Sequence, residues 1–398
     1  MNLLSDITVL DLGFMVAGPG AARLLADLGA LVIKVEPPAG DVARWLTPQG
    51  GVSPVFEDFN RGKKSICIDL WREEGQEIWA KLVKNADLVI TNFRPAFLER
   101  VGITWDSVHR LNRTAVLTIV STFGADDPDS NIPGGDVVAQ AESGIASFNG
   151  EPEGTPILAQ NSPADVASSL YAALASLASV NEARRTGSGS MVDVSITDAY
   201  ATVDVGIMST VLATHGAFEP SRTGRFHNTF TPHGVFRGPG GYAVISAYGA
   251  GPNSIWPRLA AALGRPDLAI ADGYRSDLDR REHRSEIVAI IEAWLKSFDT
   301  IEEAVSVLRA EGVVAGVVRS PHEALTSERA RRRGLAQRIA HPVSGSRDVL
   351  GSPMRVLGQD ASVTAAPSLG SHTTDLLRDH LGYDMEQIEL LLRGGVIA

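Results

Sequence analysis

The sequence predicts an α/β protein, with a large domain built on a parallel sheet followed by a smaller α/β domain. Three observations lead there. Short β-branched or aliphatic runs alternate with helical spacing from the N-terminus to about residue 121, a stretch rich in Gly, Pro, Thr and aromatics interrupts at 216–240, and strand and helix signals resume after it. With 398 residues, 44% of them hydrophobic, the chain holds enough apolar material for more than one core.

Residues 7–12 read as a strand, 20–29 space their apolar residues as a helix does, and 31–36 return to strand character, which makes a βαβ unit. The pattern repeats as a strand at 65–70, a helix at 73–84, a strand at 87–91, a helix at 105–112 and a strand at 115–121. A long Ser/Ala helix at 165–185 precedes a strand at 191–196 and an apolar helix at 197–215. Parallel strands with crossover helices are the economical arrangement of this order. The first domain is therefore placed at 1–215. Within 216–320 a strand at 242–246 and helices near 254–263, 281–296 and 300–311 define the smaller domain, and 321–398 runs through loops to a helix at 384–393.

Composition removes several function classes. Lys plus Arg number 36 against 47 Asp plus Glu, and the net charge of −11 repels nucleic acid and anionic lipid, so an anionic ligand needs a local basic patch. Cys67 is the one cysteine, which excludes an intrachain disulfide and a cysteine-rich zinc site and fits a reducing cytoplasm. The N-terminus shows no export signal and no uncharged run suits a bilayer span, so a cytoplasmic protein without membrane contact is expected. No HxxxH or HxH pair and no GxSxG elbow is present, so neither a metal site nor a serine hydrolase is expected. Gly18-Pro19-Gly20-Ala21-Ala22-Arg23 lies too far past its strand and ends in Arg, so it reads as a glycine-rich helix entry and no nicotinamide is expected.

Two cationic loop ends remain. Asn60-Arg61-Gly62-Lys63-Lys64 precedes one strand, and Asn92-Phe93-Arg94-Pro95 follows another with Arg100 close behind. Each alone is an ordinary solvated turn. Together, at the ends of a parallel sheet, they suit a phosphate-bearing ligand. Asp165 opens the Ser/Ala helix and has two readings: a helix N-cap, or a carboxylate nucleophile kept ionised by the helix N-terminus, with small residues after it leaving room for a substrate.

In their order along the chain, Val16-Ala17-Gly18-Pro19, the segment 28–36, Asn60 to Ile66, Asn92 to Pro95, Asp136 to Gly144, Asp165, Arg185-Thr186-Gly187, Asp198-Ala199 and the segments 367–373 and 381–383 resemble the class III CoA-transferases. The resemblance implies a Rossmann-like large domain to which the C-terminal segment returns, a small domain between, and ring-shaped subunits that interlock as a homodimer. It implies coenzyme A as part of the acyl-CoA substrate and Asp165 as the nucleophile, passing through a mixed anhydride and an aspartyl-CoA thioester before an acceptor acid takes the CoA. It places Val16 and Ala17, Asn60, Arg61, Lys63 and Lys64, Asn92, Phe93 and Arg94, Arg100, and Gly135 with Asp136 along the CoA. Pro37 and Pro133 stand where several members have basic residues, with Arg44 or Lys64 as replacements.

Acyl-CoA racemases share this fold and move an α-proton with an acid/base pair. Their branch carries a histidine where this chain has Gly135 and a glutamate where it has 247–251, so transfer is preferred over racemisation, and a non-catalytic CoA-binding protein would have no use for Asp165. Gly238-Pro239-Gly240-Gly241 and 249–252 are the candidates for a glycine loop over the site, and His227 and His233, near Phe226, Phe230 and Phe236, for the acceptor pocket.

Overall fold

The computed structural model describes residues 1–249, 254–359 and 361–398. Of the two glycine-loop candidates, 250–252 lie outside the described residues. The chain divides into two compact units, one of Met1–Ser143, Ala159–Asp204 and Leu325–Ala398, the other of Gly144–Leu158 and Val205–Ala324.

In the first unit six strands form one parallel sheet: β1 (Thr8–Leu12), β2 (Leu31–Glu36), β3 (Lys64–Cys67), β4 (Leu88–Thr91), β5 (Val116–Ser121) and β6 (Met191–Ser195), in the order β3-β2-β1-β4-β5-β6. This is the doubly wound order of the Rossmann fold. Val9 of β1 pairs with Val32 on one side and Leu88 on the other. The chain thus builds outward from β1 in one direction, then returns to build in the other. Both β4 and β5 are buried throughout, which is why both are largely apolar without alternation, and the buried Thr118 of β5 is paired with Ser176 Oγ at 2.7 Å.

Along the N-terminal part of this unit the sheet is accompanied by α1 (Ala17–Asp27), α2 (Pro54–Asn60), α3 (Glu73–Lys84), α4 (Pro95–Arg100), α5 (Trp105–Leu111), α6 (Asp136–Glu142), α7 (Pro163–Thr186) and α8 (Ile196–Thr202). In α3 the spacing of Ile78, Trp79, Leu82 and Val83 turns one face to the sheet, and Glu73 and Lys84 at its ends complement the helix dipole. These residues pack with Leu10, Ile33, Val89 and Leu117 from the strands and Leu376, Ile388 and Ile397 from the C-terminal segment. The expected helix over 197–215 is instead two, α8 and α9 (Ile207–Ala213), because Gly206 takes a left-handed φ of 92° between them. In the C-terminal segment β10 (Ala336–His341) and β11 (Gly345–Leu350) make an antiparallel hairpin, and a helix spans Met385–Arg393.

The second unit has an antiparallel sheet of β7 (His233–Gly238), β8 (Gly241–Ser246) and β9 (Val314–Val317). Phe236 and Ile245 of this sheet pack on Trp256, Leu259, Ile291 and Leu308 from its helices. Gly238 pairs with Gly241 across the β7–β8 hairpin, so Pro239 and Gly240 are its turn.

Candidate active site

In a doubly wound sheet the chain leaves β1 and β4 in opposite directions, opening a crevice at their C-terminal ends. There the structure has a cavity of about 650 Å³, lined from the β1–α1 loop by Phe14, Met15 and Val16, from the β4–α4 loop by Asn92, Phe93 and Arg94, and from beyond β5 by Gly135, Asp136 and Asp165. Six of the residues expected along the CoA and the expected nucleophile Asp165 thus line one cavity although they come from four separate stretches of sequence.

Asp165 is the third residue of α7, after Ser162 at the N-cap and Pro163 at the first position. It does not cap its own helix. Asp136 does: its Oδ1 accepts from the Ala164 amide at 2.9 Å and the Asp165 amide at 3.4 Å, while its Oδ2 accepts from Gln140 Nε2 at 2.6 Å. Gln140 in turn exchanges two hydrogen bonds with the backbone of Ala159, at 2.8 and 2.9 Å. Among the described residues the Asp165 carboxylate has neither a hydrogen bond nor an ion pair. Burial, and then the negative charge of Asp136, push it up to about 7. The expectation that the helix N-terminus keeps Asp165 fully ionised is therefore corrected, because Asp136 occupies the amides that would have done so.

Backbone strain gathers at the same place. Of the four described non-glycine residues with positive φ, Met15 at 62° and Ser162 at 48° both line this cavity. Gly135 begins α6 at φ 140°, a conformation open to glycine, and Gly134 has no room for a Cβ against Thr122 Oγ1. The first turn of α7 is also tied to α1: Ser169 Oγ lies 2.8 Å from Ala17 O and 2.9 Å from Asp165 O. A Cβ at Gly20 would stand 2.5 Å from that hydroxyl, and one at Gly18 would stand 2.9 Å from Asn92 Oδ1. Gly20 thus serves the packing of α1 on α7, whereas Gly18 lets the start of α1 approach Asn92.

Asn92 fixes the β1–α1 loop by accepting from Phe14 N and donating to Phe14 O, both at 2.9 Å. Phe93 stacks on Phe14 and Phe97 with ring centroids 4.9 and 4.4 Å apart. These three rings also wall a second cavity of about 250 Å³, bounded by Val35, Val42, Ile68 and Trp71. Arg94 Nη1 donates to Asn131 O at 2.9 Å. Arg100 lies over the Trp71 ring, 5.1 Å from its centroid. Val16 faces the larger cavity, whereas Ala17 is buried in α1.

The loop 60–64 is placed otherwise. Arg61 is buried against Asp27 at 2.7 Å, and Lys63 is buried against Asp11 at 2.6 Å, Asn60 Oδ1 at 2.9 Å and Pro19 O at 2.9 Å. Burial pulls Lys63 down to about 8 even with Asp11 beside it. Neither these residues nor the half-buried Lys64 line either cavity. Arg44 is likewise engaged, with Glu36 at 2.6 Å and Pro367 O at 3.0 Å. A residue set that sequence reasoning missed sits behind the cavity: Lys34 pairs with Asp41 at 3.0 Å and donates to Gly13 O at 2.9 Å, while Asp41 Oδ1 accepts from Met15 N at 3.2 Å. The signal was a charge inside an apolar strand, Asp11 in β1 and Lys34 in β2.

In the second unit His227 Nδ1 accepts from the amides of Thr229 and Phe230, and His233 Nδ1 lies 2.8 Å from Ser246 Oγ. Burial lowers the pKa of His233. Among the described residues no group of three His, Cys, Asp or Glu side chains converges as a metal site, and no helix is long and apolar enough to cross a membrane.

Comparison with known proteins adds to this geometry. The chain is 32% identical over 399 residues to a succinyl-CoA–D-citramalate CoA-transferase of Chloroflexus aurantiacus, covering 99% of this chain and 98% of the relative. It is 30% identical to a succinyl-CoA:glutarate CoA-transferase of Mus musculus over 100% of this chain and 91% of that one. A formyl-CoA:oxalate CoA-transferase of Streptomyces avermitilis is 29% identical, covering 99% of both chains. Among solved structures, a CAIB/BAIF family protein from Brucella suis superimposes with a TM-score of 0.79 at 28% identity, covering 94% of this chain and 98% of its own. The profile of CoA-transferase family III matches residues 4–373, and with the parallel sheet and the carboxylate at its switch point this places the chain in that family.

Proposed function

We propose that this class III CoA-transferase works through Asp165 as a covalent carrier of CoA. The observation that carries the reading is a sheltered carboxylate with no partner among the described residues, at the crevice where a doubly wound sheet offers a ligand site. A carboxylate bound by cations or amides is a poor nucleophile, and among the described residues none binds Asp165. Its oxygen attacks the thioester carbonyl of the donor, and CoA leaves as thiolate. The thiolate then attacks Asp165 Cγ of the mixed anhydride and releases the donor acid. An acceptor carboxylate repeats the two steps in reverse. Throughout, the acyl groups stay activated, which requires that water be kept from the carbon.

The larger cavity suits the pantetheine arm and thioester, and the aromatic-walled one beside it suits the nucleotide base, with Arg94 and Arg100 on the phosphate side. Asn92 and the buried Arg61 and Lys63 act from behind by holding loops in place. Gly135, where a racemase would hold its histidine, supports transfer over proton abstraction. The proposed assembly is an interlocked homodimer in the cytoplasm. An apolar stripe on α7, Val166, Leu170 and Leu174, is exposed and gives a second copy a surface to cover.

The test is mass spectrometry of the protein after incubation with acyl-CoAs, succinyl-CoA first because two of the relatives are named for it. Hydroxylamine trapping should place the modification on Asp165 alone. An unmodified Asp165 with every donor, while solvent deuterium enters the acyl α-carbon, would replace this reading by racemisation.

A further inference from the structure

We propose that Asp136 is a positioning residue whose charge favours every uncharged, acylated form of Asp165 over the free carboxylate. The inference rests on the reading of Asp165 as nucleophile. Asp136 Oδ1 accepts from the amides of Ala164 and Asp165, and Gln140 holds Oδ2 at 2.6 Å, so the carboxylate is fixed at both oxygens beside the reacting group. The amides it takes are those that would otherwise have solvated a negative charge on Asp165.

Other groups on the elements that pack on α7 or wall its cavity are Arg23 and Asp27 on α1, Glu142 on α6, Tyr200 and Asp198 on α8, Asp193 on β6 and Arg94 in the cavity wall. Of these charges Asp136 alone acts on Asp165, and it raises the pKa of Tyr200 as well, second to burial. The site therefore penalises one state of Asp165, the ionised one. When Asp165 attacks the donor, its Oδ–acyl bond forms, the C–S bond breaks, and the negative charge leaves on the CoA thiolate. When the thiolate attacks Cγ, the Cγ–O bond to the donor acyl group breaks and the charge leaves on the donor acid. In both adducts Asp165 is neutral, and the repulsion from Asp136 is relieved. The consequence is a thioester intermediate that persists long enough for acids to exchange.

Asparagine at this position keeps an oxygen for the Ala164 amide and removes the charge, and alanine removes both. The readout is the hydroxylamine-trapped fraction of Asp165 in the full-length protein with succinyl-CoA and the other acyl-CoAs of the panel, across pH. For Asp136→Asn the pH midpoint of acylation should fall by about one unit or more, and the thioester fraction at fixed donor and acid, at pH 8, should fall about tenfold. Asp136→Ala should show the same shifts with lower thermal stability, so either soluble variant decides. A wild-type midpoint and thioester fraction in a folded variant would show that Asp136 is a cap alone and overturn the proposal. Wild-type protein that no donor modifies at Asp165 would overturn the transfer reading itself.

Discussion

Asp165 holds a proton that an exposed aspartate would have lost. Its folded value of about 7 lies above the value of roughly 4 for an unfolded chain, so the folded state binds the extra proton between those limits. The stability tied to that proton is complete below about pH 4 and is lost as pH rises through about 7. Asparagine does not ionise and escapes the loss. Asp165→Asn should therefore match the wild type near pH 4 and exceed it by about 2–4 kcal/mol at pH 8, the lower figure allowing for partial exposure. Urea unfolding at the two pH values measures this, and a constant difference would contradict the burial argument. Residue chemistry was also where sequence reading went furthest astray. Cations at 61 and 63 look like phosphate ligands because their partners, Asp27 and Asp11, are distant in sequence and join them only when the sheet forms. Asp136 was expected along the ligand and lines the cavity, but its task of capping the neighbouring helix needed the fold.

Among the elements, those legible in the sequence were long or strongly patterned. The amphipathic α3 and the Ala/Ser-rich α7 stand out, whereas α2, α4 and α6 are two turns or less and give periodicity too little length to act on. The break between α8 and α9 hung on one glycine inside an apolar run. Packing of α1 on α7 hangs on another, because Gly20 lets Ser169 approach the α1 backbone. Gly20→Ala should push the helices apart, destabilise the protein by about 1–3 kcal/mol and slow acylation of Asp165. Ser169→Ala in the same protein removes the oxygen that the new methyl meets and should recover much of the loss. Additive effects of the two changes in thermal unfolding would show that the contact does not limit the packing.

For the molecule as a whole, the exposed stripe on α7 is where the proposed dimer can be tested. Leu170 and Leu174 are 55% and 68% exposed on a helix whose other face is in the core. Replacing both by Glu should shift the particle measured by light scattering from twice the 42.3 kDa chain mass to a single chain. A wild-type protein already of single-chain mass would remove the dimer from the proposed function.

The division of the chain also has a practical outcome. It passes between the two units at Ser143–Gly144, Leu158–Ala159, Asp204–Val205 and Ala324–Leu325, and the first two of these crossings fall between Asp136 and Asp165. No contiguous gene fragment encodes either unit, so truncation leaves each without part of its own structure. A protease cut in the exposed run 151–158 would divide the polypeptide between the two carboxylates, leaving Asp136 tied to the start of α7, Gln140 tied to Ala159, and α6 packed on α7 and α8 without a covalent link across the cut.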